Sequence, residues 1–393
     1  MLKVLEISPG FTGGIGTHIY NIVKGYDKTA MEIDVAAFSN DIGDANEFVD
    51  LIQKKGGKVF PLRQINKRRP IKGFLDLISI IKNNGPYELI HVHMYGYKFA
   101  YFSIAARIAG QRRIVSHAHI AAQKDGHSLK NRVYHYTNVC LTKMFSTGYM
   151  ACSKVAAEFI FGKKIVENKE VMCIPNSVDI EIFRPYLGKG KNISFLQEIG
   201  ADSNTLIIGH IGYFGYQKNH PFMVDIIEKL VKMNIKFKWL FVGIGDELDK
   251  IKKLISDRKL EKFVCFMGYR KDIPFIISQM DVMALPSIFE GLPTVAIECQ
   301  ALGIPCVLSN QISKETDLGL RICKFISIIS PQRWAEELLK ASKIHRPSVG
   351  EIIEILEETH YTTTTAAKLY EDYVYNRISH FEFKYGSSKC KKM

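Results

Sequence analysis

Two glutamates in the second half of the chain, Glu290 and Glu298, lie eight positions apart around a Gly-Leu-Pro turn. Pro293 suits the first turn of a helix, where a missing N–H costs nothing. The amides of Thr294 and Val295 would then be free at a helix N-terminus, a place that favours phosphate. Both carboxylates could accept hydrogen bonds from hydroxyl groups. The segment therefore predicts a site for a ligand with phosphate and hydroxyl groups, a combination that nucleotide sugars offer.

A lysine in the segment from Gly212 to His220 could supply charge for the same chemistry. The segment follows an apolar run that reads as a strand and precedes a predicted helix from Pro221. Lys218 would place an ammonium where a diphosphate needs its charge neutralised as it departs. The alternative is an ordinary solvated loop lysine. The anion site predicted at Thr294 favours the first interpretation.

Two glycine-rich segments also follow predicted strands. Gly14 and Gly16 would let backbone amides approach a phosphate or a sugar closely. A dinucleotide-binding turn wants a third glycine where Ile19 stands, so an oxidoreductase is disfavoured, although Asp34 could mimic its ribose-binding acid. A plain tight turn is the other alternative. The segment Gly243–Asp246 lacks a third glycine too, and we interpret it as a strand-to-helix turn.

Four histidines stand at the ends of two predicted strands, as the pairs His91/His93 and His117/His119. Strand alternation puts each pair on one face. A zinc site would want a third convergent ligand, which the sequence does not identify, and we predict no metal. Hydrogen bonding to a sugar hydroxyl is the favoured role. A satisfied structural histidine is the alternative for any one of the four.

These residues must be positioned by a fold, and short apolar runs alternating with helix-length segments predict β-α-β units around parallel sheets. The pattern pauses at 178–200, where an exposed connection is predicted. The fold class is α/β, with two Rossmann-like domains facing each other across a cleft. We expect domains at 1–185 and 186–365, then a helix that packs on the N-terminal domain and a basic tail at 366–393.

The predicted elements can be given by residue number. The strands are Lys3–Ser8, Ile33–Phe38, Lys58–Leu62, Leu89–Met94, Arg113–His117, Tyr149–Cys152, Val171–Ile174, Leu206–Ile211, Lys238–Val242, Val264–Met267, Val282–Leu285 and Cys306–Ser309. The helices include Thr17–Tyr26, Asn131–Phe145 and Thr362–Ile378.

The net charge of +13 lies mostly in the first half, where residues 1–175 hold 24 Lys and Arg against 14 Asp and Glu. A basic domain can attract a phosphorylated substrate or an anionic membrane surface. Clusters such as Lys67–Arg69 could equally be solvated edges.

No nucleic-acid-binding motif is visible, and no segment reaches the roughly 18 apolar residues of a membrane span. The eight cysteines are scattered singly. We expect a cytoplasmic protein that can bind the inner face of the cell membrane.

Taken in order, the segments resemble the retaining glycosyltransferases of family four, which have the GT-B fold. Within that family the chain is most similar to bacterial enzymes that build capsular polysaccharides or exopolysaccharides. The resemblance covers nearly the whole chain, and only its last motif is nearly diagnostic by itself. The motifs are Gly13-Gly14-Ile15-Gly16, His117-Ala118-His119, Ala151-Cys152-Ser153-Lys154, Ile174–Asp179, the Lys218 loop, Phe266–Arg270 and Glu290-x7-Glu298.

The resemblance implies a role for each matched residue. Glu298 would bind the ribose hydroxyls of the donor nucleotide, Glu290 would contact the donor sugar, and Lys218 would bind the diphosphate. His119, with His117 as the less favoured choice, would lie near the sugar and complete the catalytic group with Glu290 and Lys218. The other implied donor-binding residues are Gly14 and Gly16 from the opposite domain, Gly268, Tyr269 and Arg270 beside the base, and Gly291, Leu292, Pro293 and Thr294 beside the sugar and phosphates.

One position departs from the family pattern. The family usually has an arginine in the segment Gly212–Phe214, which pairs with the lysine on the diphosphate, whereas this chain has Tyr213. Tyrosine can donate one hydrogen bond but carries no charge near neutral pH. Arg270, Lys271 or an arginine of the facing domain could replace the missing charge.

The activity that the resemblance implies is sugar transfer with retention at the anomeric carbon. The donor would be a nucleotide diphosphate sugar, with a UDP-sugar favoured, and no cofactor is expected. The acceptor would be a hydroxyl of a growing glycan, linked to a polyprenyl diphosphate and bound by the N-terminal domain. The alternatives are a GT-B sugar-nucleotide epimerase, a phosphorylase, or a non-catalytic subunit that binds a nucleotide sugar.

Overall fold

The chain forms two compact units. One comprises residues 1–177 and the described residues from His360 onward, and the other comprises residues 178–359. The units divide eight and six residues earlier than the predicted limits at 185 and 365. The basic cluster Lys67–Arg69 and the tail at 386–393 lie outside the described residues. The computed structural model describes residues 1–11, 13–38, 46–63, 71–121 and 128–380.

Strands and helices alternate along both units. The strands are β1 (Leu2–Ser8), β2 (Met31–Phe38), β3 (Val59–Leu62), β4 (Leu89–Val92), β5 (Ile114–Ala118), β6 (Gly148–Ala151), β7 (Val171–Cys173), β8 (Leu206–Ile211), β9 (Phe237–Val242), β10 (Val264–Gly268), β11 (Val282–Leu285), β12 (Cys306–Ser309) and β13 (Cys323–Ile326). The helices are α1 (Gly13–Gly25), α2 (Asn46–Lys54), α3 (Lys72–Asn84), α4 (Tyr97–Ile108), α5 (Leu129–Phe145), α6 (Lys154–Phe161), α7 (Lys163–Glu167), α8 (Ile180–Phe183), α9 (Ile193–Glu198), α10 (His220–Lys232), α11 (Leu248–Asp257), α12 (Ile273–Ser278), α13 (Thr294–Ala301), α14 (Pro331–Ala341), α15 (Val349–Glu358) and α16 (Thr363–Val374).

The first unit is built around a parallel sheet of seven strands in the order β3-β2-β1-β4-β5-β6-β7. β1 lies in the middle, where Val4 pairs with Ile33 of β2 on one side and with Leu89 of β4 on the other. β4 and β5 are buried along their whole length. Continuous burial is expected of parallel strands that helices cover on both faces.

The second unit contains a parallel sheet of six strands in the order β10-β9-β8-β11-β12-β13. This is the strand order of a doubly wound dinucleotide-binding sheet. Its core includes Trp239 and Trp334, both fully buried. In each sheet the order reverses between two neighbouring strands, β1 and β4 in the first unit and β8 and β11 in the second. Open sheets of this kind bind ligands at the carboxyl ends of the strands at that reversal point.

The last helix, α16, belongs to the first unit. Gly25 at the end of α1 approaches it so closely that a Cβ atom there would meet the Thr363 carbonyl oxygen at 2.2 Å. Arg113, just before β5, donates hydrogen bonds of 2.7 Å to the carbonyl oxygens of Tyr373 and Val374. These carbonyls lie at the helix C-terminus, where no intrahelical donor is available.

The predicted elements agree closely with the observed ones, with three differences, one of which is that α16 ends at Val374 and not at the predicted Ile378. β8, β11 and β12 have the predicted bounds, and the other predicted strands differ by one or two residues at either end. The prediction missed β13, and it began α1 at Thr17 instead of Gly13. Among the described residues, the structure contains no helix with both the length and the apolar character needed to cross a membrane.

Candidate active site

Lys218 and Glu290 follow neighbouring strands of the second sheet, at its reversal point. Lys218 ends the short 3-10 turn Tyr216–Lys218 after β8, and Glu290 follows β11. Lys218 Nζ lies 2.7 Å from Glu290 Oε1, and the two side chains are 16% and 8% exposed. The structure therefore brings together the lysine and the glutamate that the sequence singles out.

Two further donors hold the Glu290 carboxylate. Gln217 Nε2 donates to Oε2 at 2.7 Å, and Ser287 Oγ donates to Oε1 at 2.9 Å. Hydrogen bonds to an ionised acceptor are stronger than neutral ones. With Lys218 they fix the carboxylate in one orientation, which suits a group that positions a ligand.

The loops after β8 and β11 are also joined through their backbones. The Ile288 amide donates to the Gln217 carbonyl oxygen at 2.8 Å, and Asn219 Nδ2 donates to the Pro286 carbonyl oxygen at 3.2 Å. Asn219 has a left-handed backbone with φ of 60°, a conformation that asparagine tolerates better than most residues. The Lys218–Glu290 pair is thus held on two connected loops.

Glu298 lies one turn inside α13, as the sequence predicts. Pro293 is the N-cap residue, and the helix begins at Thr294. The leading amides of α13 therefore have no acceptor within the helix. Gly291, Leu292 and Pro293 are buried, and Thr294 and Glu298 are half-buried. Burial raises the pKa of Glu298 to about 7. Near neutral pH this carboxyl is therefore close to the midpoint of its titration.

Tyr213 and Arg270, two further predicted donor-binding residues, each have a carboxylate partner. A hydrogen bond from the Tyr213 hydroxyl to Asp246 raises the pKa of the tyrosine, whose side chain is 54% exposed. Arg270 donates to both oxygens of Asp272, at 2.8 and 2.6 Å. The charge of Arg270, which we considered as a replacement for the missing family arginine, is therefore already paired.

The remaining residues of the predicted base-binding loop follow β10. Gly268 ends this strand with a φ of +64°, and the Tyr269 side chain is 69% exposed.

Gly243 and Gly245 have a packing role in the same unit. A Cβ atom on Gly243 would lie 2.0 Å from the Gly212 carbonyl oxygen, and one on Gly245 would lie 2.5 Å from the Phe214 amide nitrogen. Both glycines have positive φ. They let the turn after β9 pack against the segment that leads to Lys218, which agrees with our interpretation of a strand-to-helix turn.

In the first unit, Gly14 and Gly16 form the first turn of α1 instead of the loop that the sequence indicated. A Cβ atom on Gly16 would lie 2.1 Å from the Phe11 carbonyl oxygen, whereas one on Gly14 would meet nothing within 4 Å. Packing therefore requires a glycine at position 16. Gly14 is exposed and leaves open space beside the helix N-terminus.

Five histidine rings cluster at the carboxyl end of the first sheet. The ring centroids of His117 and His119 lie 4.0 Å apart, and those of His91 and His93 lie 4.4 Å apart. His18 of α1 adds a fifth ring, 4.7 Å from His117. The sequence analysis found the four strand histidines but not His18.

Glu6 and Tyr370 complete the cluster, and the sequence analysis did not identify either. Glu6 Oε2 lies 2.6 Å from His93 Nε2 and 2.9 Å from His91 Nδ1. Tyr370 Oη donates to Glu6 Oε1 at 2.5 Å. A carboxylate inside the apolar strand β1 was the signal that could have identified Glu6. Tyr370 offered no such signal, because it lies in an ordinary helical pattern.

Burial keeps four of the histidines neutral near pH 7. It lowers the pKa of His18 to about 3 and that of His93 to about 4, and nearby histidines add to the effect. The pKa values of His117 and His119 are well below the usual value for the same reasons. Burial disfavours the Glu6 anion, yet its pKa is lowered because His91 and His93 lie against it and donate hydrogen bonds.

One ring nitrogen from each of His91, His93 and His117 lies within 4.8 Å of the other two. The third convergent ligand that the sequence did not identify is therefore present. Neutral imidazoles suit zinc and other divalent transition ions. Both ring nitrogens of His91 and of His93 also make hydrogen bonds within the cluster, so a metal site and a hydrogen-bonded cluster are competing interpretations.

A pocket of about 310 Å³ lies beside this cluster, wholly within the first unit. Its lining combines ring nitrogens, phenol hydroxyls and one ammonium. The polar residues that line it include His93, His117, His119, Tyr95, Tyr134 and Lys98. Such a mixture of aromatic and hydrogen-bonding groups suits a ligand with several hydroxyl groups.

Two sequence profiles match successive parts of the chain. The profile described as "Glycosyltransferase Family 4" matches residues 12–182, and the one described as "Glycosyl transferases group 1" matches residues 193–318. The first match contains the histidine cluster apart from Glu6 and Tyr370. The second contains Lys218, Glu290 and Glu298.

Several curated bacterial proteins are similar over much of the chain. A putative glycosyltransferase of Bacillus subtilis, EpsF, is 30% identical over 361 residues, which are 91% of this chain and 92% of EpsF. An Escherichia coli enzyme named UDP-Gal:alpha-D-GlcNAc-diphosphoundecaprenol alpha-1,3-galactosyltransferase is 29% identical over 255 residues, 63% of this chain and 64% of that protein.

Solved structures share the fold. HepE of Anabaena, in a crystal structure with UDP and glucose, aligns with a TM-score of 0.67 and 20% identity over 96% of this chain and 95% of HepE. The lipopolysaccharide outer core galactosyltransferase WaaB aligns with a TM-score of 0.66 and 16% identity over 96% of this chain and all of WaaB. With two Rossmann-like units in the strand orders given above and this similarity to EpsF, the chain belongs to the family-four glycosyltransferases and has the GT-B fold.

Proposed function

We propose that the chain is a retaining hexosyltransferase that moves a sugar from a UDP-sugar to a hydroxyl of a lipid-linked capsular polysaccharide or exopolysaccharide. The observation that carries the proposal is the Lys218–Glu290 pair, 2.7 Å apart, in which Lys218 follows β8 and Glu290 lies on the loop that leads into α13. An ammonium, the leading amides of a helix and the half-buried carboxyl of Glu298 occur together on one sheet edge. A diphosphate joined to two polyols would use all of them.

The reaction breaks the bond between the anomeric carbon and a phosphate oxygen and forms a bond to the acceptor oxygen. The acceptor proton passes to the departing phosphate oxygen on the same face of the sugar, so configuration is retained. Lys218 and the α13 amides stabilise the charge on the departing diphosphate. Glu290, already oriented by Gln217 and Ser287, positions the sugar and does not attack it.

The donor assignment rests on two observations. The solved structures of HepE contain UDP, and one contains UDP-glucose. In this chain Glu298 follows the helix N-terminus by one turn, a spacing that allows one nucleotide to place its phosphates on the amides and its ribose on the carboxylate. We therefore propose a UDP-sugar as the donor.

The acceptor assignment rests on a relative and on the pocket of the first unit. The E. coli relative is named for an acceptor that carries diphosphoundecaprenol. In this chain the pocket beside the histidine cluster offers three tyrosines for a sugar and Lys98 for an anionic group. A glycan joined to a polyprenyl diphosphate presents both kinds of group.

Membrane association would follow from the surface of α5, which we propose docks on an anionic bilayer. Leu129, Tyr136 and Met144 are 76%, 71% and 70% exposed. The helix also carries Lys130, Arg132 and Lys143 and no acidic residue. An amphipathic surface of aromatic, aliphatic and basic side chains binds anionic lipid headgroups. It would hold the enzyme at the surface where a lipid-linked acceptor is found.

The decisive experiment is a transfer assay with the purified full chain and a panel of UDP-sugars. With a polyprenyl-diphosphate-linked sugar as acceptor, we expect a glycan longer by one residue, release of UDP, and an anomeric configuration equal to that of the donor. Without acceptor we expect only slow hydrolysis. An epimerised donor or a sugar phosphate would instead identify the epimerase or the phosphorylase, and donor binding without any product would identify a binding subunit.

A further inference from the structure

Glu6 is the starting point of two separate chains of hydrogen bonds within the first unit. Its side chain lies within β1 and is only 3% exposed. One chain passes through His93 to His119, and the other passes through His91 to His117. Each chain consists of one donor and acceptor pair after another, so the proton positions can be worked out from the carboxylate outward.

The first chain fixes the tautomer of His119. His93 Nε2 lies 2.6 Å from Glu6 Oε2 and must carry a proton, because an ionised carboxylate only accepts. A neutral His93 then has an unprotonated Nδ1, which lies 2.8 Å from His119 Nε2. His119 must donate from Nε2 to make this bond. Its Nδ1 is therefore left with a lone pair.

The second chain fixes the tautomer of His117. His91 Nδ1 lies 2.9 Å from Glu6 Oε2 and 3.1 Å from Tyr370 Oη. The one phenol proton of Tyr370 is committed to Glu6, so both neighbours of His91 Nδ1 can only accept. His91 Nδ1 is therefore protonated, and in a neutral His91 the Nε2 accepts from His117 Nδ1 at 3.2 Å. His117 Nε2 is left with a lone pair.

The ends of both chains meet the same pocket. His117 and His119 line the pocket of about 310 Å³ described above. Within the described part of the chain, the buried His117 Nε2 has no hydrogen-bond partner. An unpaired buried acceptor costs free energy, which a donor group on a bound ligand would offset. Hydroxyl groups are donors of this kind.

We propose that Glu6 is a positioning residue that, through His91 and His93, locks His117 and His119 in the tautomers that present two unprotonated nitrogens to ligand hydroxyl groups in this pocket. The ligand class is a polyol with hydroxyls close enough to reach two stacked rings 4.0 Å apart. That this polyol is a sugar of the transfer reaction rests on the proposed function. The tautomers themselves do not.

A metal ion at His91, His93 and His117 is the competing interpretation. It would need one lone pair from each of the three rings, and in the proposal the lone pairs of His91 Nε2 and His93 Nδ1 already accept hydrogen bonds. The hydrogen bonds account for these nitrogens without an ion. Because a metal ligand and a hydrogen-bond acceptor are both unprotonated, the metal content of the purified chain separates the two interpretations.

Nuclear magnetic resonance of the full chain with ¹⁵N-labelled histidine rings tests the proposal directly. Long-range proton–nitrogen correlation separates protonated from unprotonated ring nitrogens, and single His→Asn variants assign the signals. We expect His117 to be protonated only at Nδ1 and His119 only at Nε2 at pH 7. An Nε2 proton on His117, an Nδ1 proton on His119, or an imidazolium at either would overturn the proposal.

Two variants each interrupt one of the two chains of hydrogen bonds, and each variant serves as the control for the other. In His93→Asn we expect mixed tautomers at His119 and an unchanged His117, and in His91→Asn the reverse. Glu6→Gln, whose amide can donate, should mix the tautomers at both ends. Unchanged tautomers in all three variants would refute the role of Glu6. If a variant does not fold, the spectrum of the unaltered chain still decides.

Metal analysis and kinetics complete the test. After dialysis we expect less than one tenth of an equivalent of zinc, cobalt, nickel, copper or iron, since no ion is needed. About one equivalent, lost in His117→Asn, would overturn the proposal in favour of a metal site. If transfer is confirmed, Glu6→Gln should raise the KM of one sugar substrate about tenfold with a smaller change in kcat, the size expected for about 1.4 kcal/mol. Absence of any transfer would count against the proposed function and leave the tautomer result standing.

Discussion

Lys218 Nζ lies 2.7 Å from Glu290 Oε1 and so joins the loops that follow the two neighbouring strands β8 and β11. A diphosphate bound at this edge would share the ammonium with the carboxylate. Changing Lys218 to Ala should therefore lower kcat by about 10²- to 10³-fold, the usual effect of removing one donor to a charge that develops in the transition state. Steady-state kinetics with a UDP-sugar measure this directly.

Lys191→Ala is the matched control for Lys218→Ala. Lys191 pairs with Asp281 at 2.6 Å in the same unit, and these side chains are 19% and 22% exposed. Its loss removes a similar ion pair without touching the predicted site, so kcat should hold. Near-full turnover in Lys218→Ala, or an equal loss in both variants, would contradict the assigned role.

Tyr213→Arg should strengthen donor binding. The side chain is 54% exposed and bonds to Asp246, so an arginine fits without repacking but shares its charge with that carboxylate. We expect the Kd of a UDP-sugar, measured by calorimetry, to fall about three- to fivefold, in keeping with a partly screened charge. Ile329→Arg, at a position that is 85% exposed in the same unit, adds the same charge elsewhere and should have no effect.

Donor affinity should depend on the ionisation of Glu298. Its pKa is raised to about 7 by burial, and only the ionised form can accept from both ribose hydroxyls. The Kd of a UDP-sugar should therefore rise about tenfold from pH 8 to pH 6. Glu298→Gln should bind more weakly at pH 8 and show a flat profile. An unchanged profile in this variant would place the titrating group elsewhere.

The raised pKa of Glu298 makes the stability of the fold decrease with rising pH, whereas it makes donor affinity increase. An acid whose folded pKa is raised above the ordinary 4.5 binds more protons in the folded state, so this group lowers the free energy of unfolding as pH rises from 4.5 to 7. The Glu298→Gln variant should therefore unfold at a higher temperature than the unaltered chain at pH 8. The two Tm values should converge at pH 5. Scanning calorimetry at both pH values checks the sign.

Gly16→Ala and Gly14→Ala form a matched pair that separates packing from ligand approach. A Cβ atom at Gly16 would lie 2.1 Å from the Phe11 carbonyl oxygen, so this change should cost about 1–3 kcal/mol of stability. At Gly14 a Cβ atom meets nothing within 4 Å, and alanine should leave Tm equal or higher because it favours helix. A raised donor KM in Gly14→Ala at unchanged Tm would place the ligand beside α1. An unchanged KM would remove Gly14 from the donor site.

The surface of α5 should bind anionic vesicles through both charge and apolar contact. Sedimentation with phosphatidylglycerol vesicles should fall as salt is raised towards 0.5 M, where screening shortens the range of charge. Tyr136→Ser, at a position that is 71% exposed, should weaken binding about threefold or more. Ile329→Ser in the second unit is the control and should change nothing. Vesicle binding that does not change with salt concentration would argue against a contribution from the basic residues of α5.

The Lys218–Glu290 pair was predictable because both residues follow buried strands and because the strand order of a doubly wound sheet places β8 beside β11. The cluster around Glu6 was not. The sequence places the four strand histidines at one sheet edge, but nothing in it indicates that Tyr370 reaches the cluster from a helix 364 positions after Glu6. Contacts so distant depend on how α16 packs, which periodicity does not specify.

The displaced start of α1 and the missed strand β13 have local causes. Glycine is a poor helix former, so the sequence favours a loop at Gly13–Gly16, but the close packing of Gly16 on Phe11 overrides that preference. β13 is a four-residue edge strand with one exposed and two half-buried residues. Such a short run lacks the continuous apolar character by which the central strands were recognised.

The separation of Glu6 from Tyr370 has a consequence for biosynthesis. A ribosome that adds about 5–20 residues per second needs roughly 20 to 70 s to pass from one to the other. Throughout that interval the carboxylate of Glu6 lacks its hydrogen-bond donor, because Tyr370 has not yet been translated. We therefore expect the nascent first unit to remain susceptible to proteases until α16 has been translated, even if the second unit has already folded.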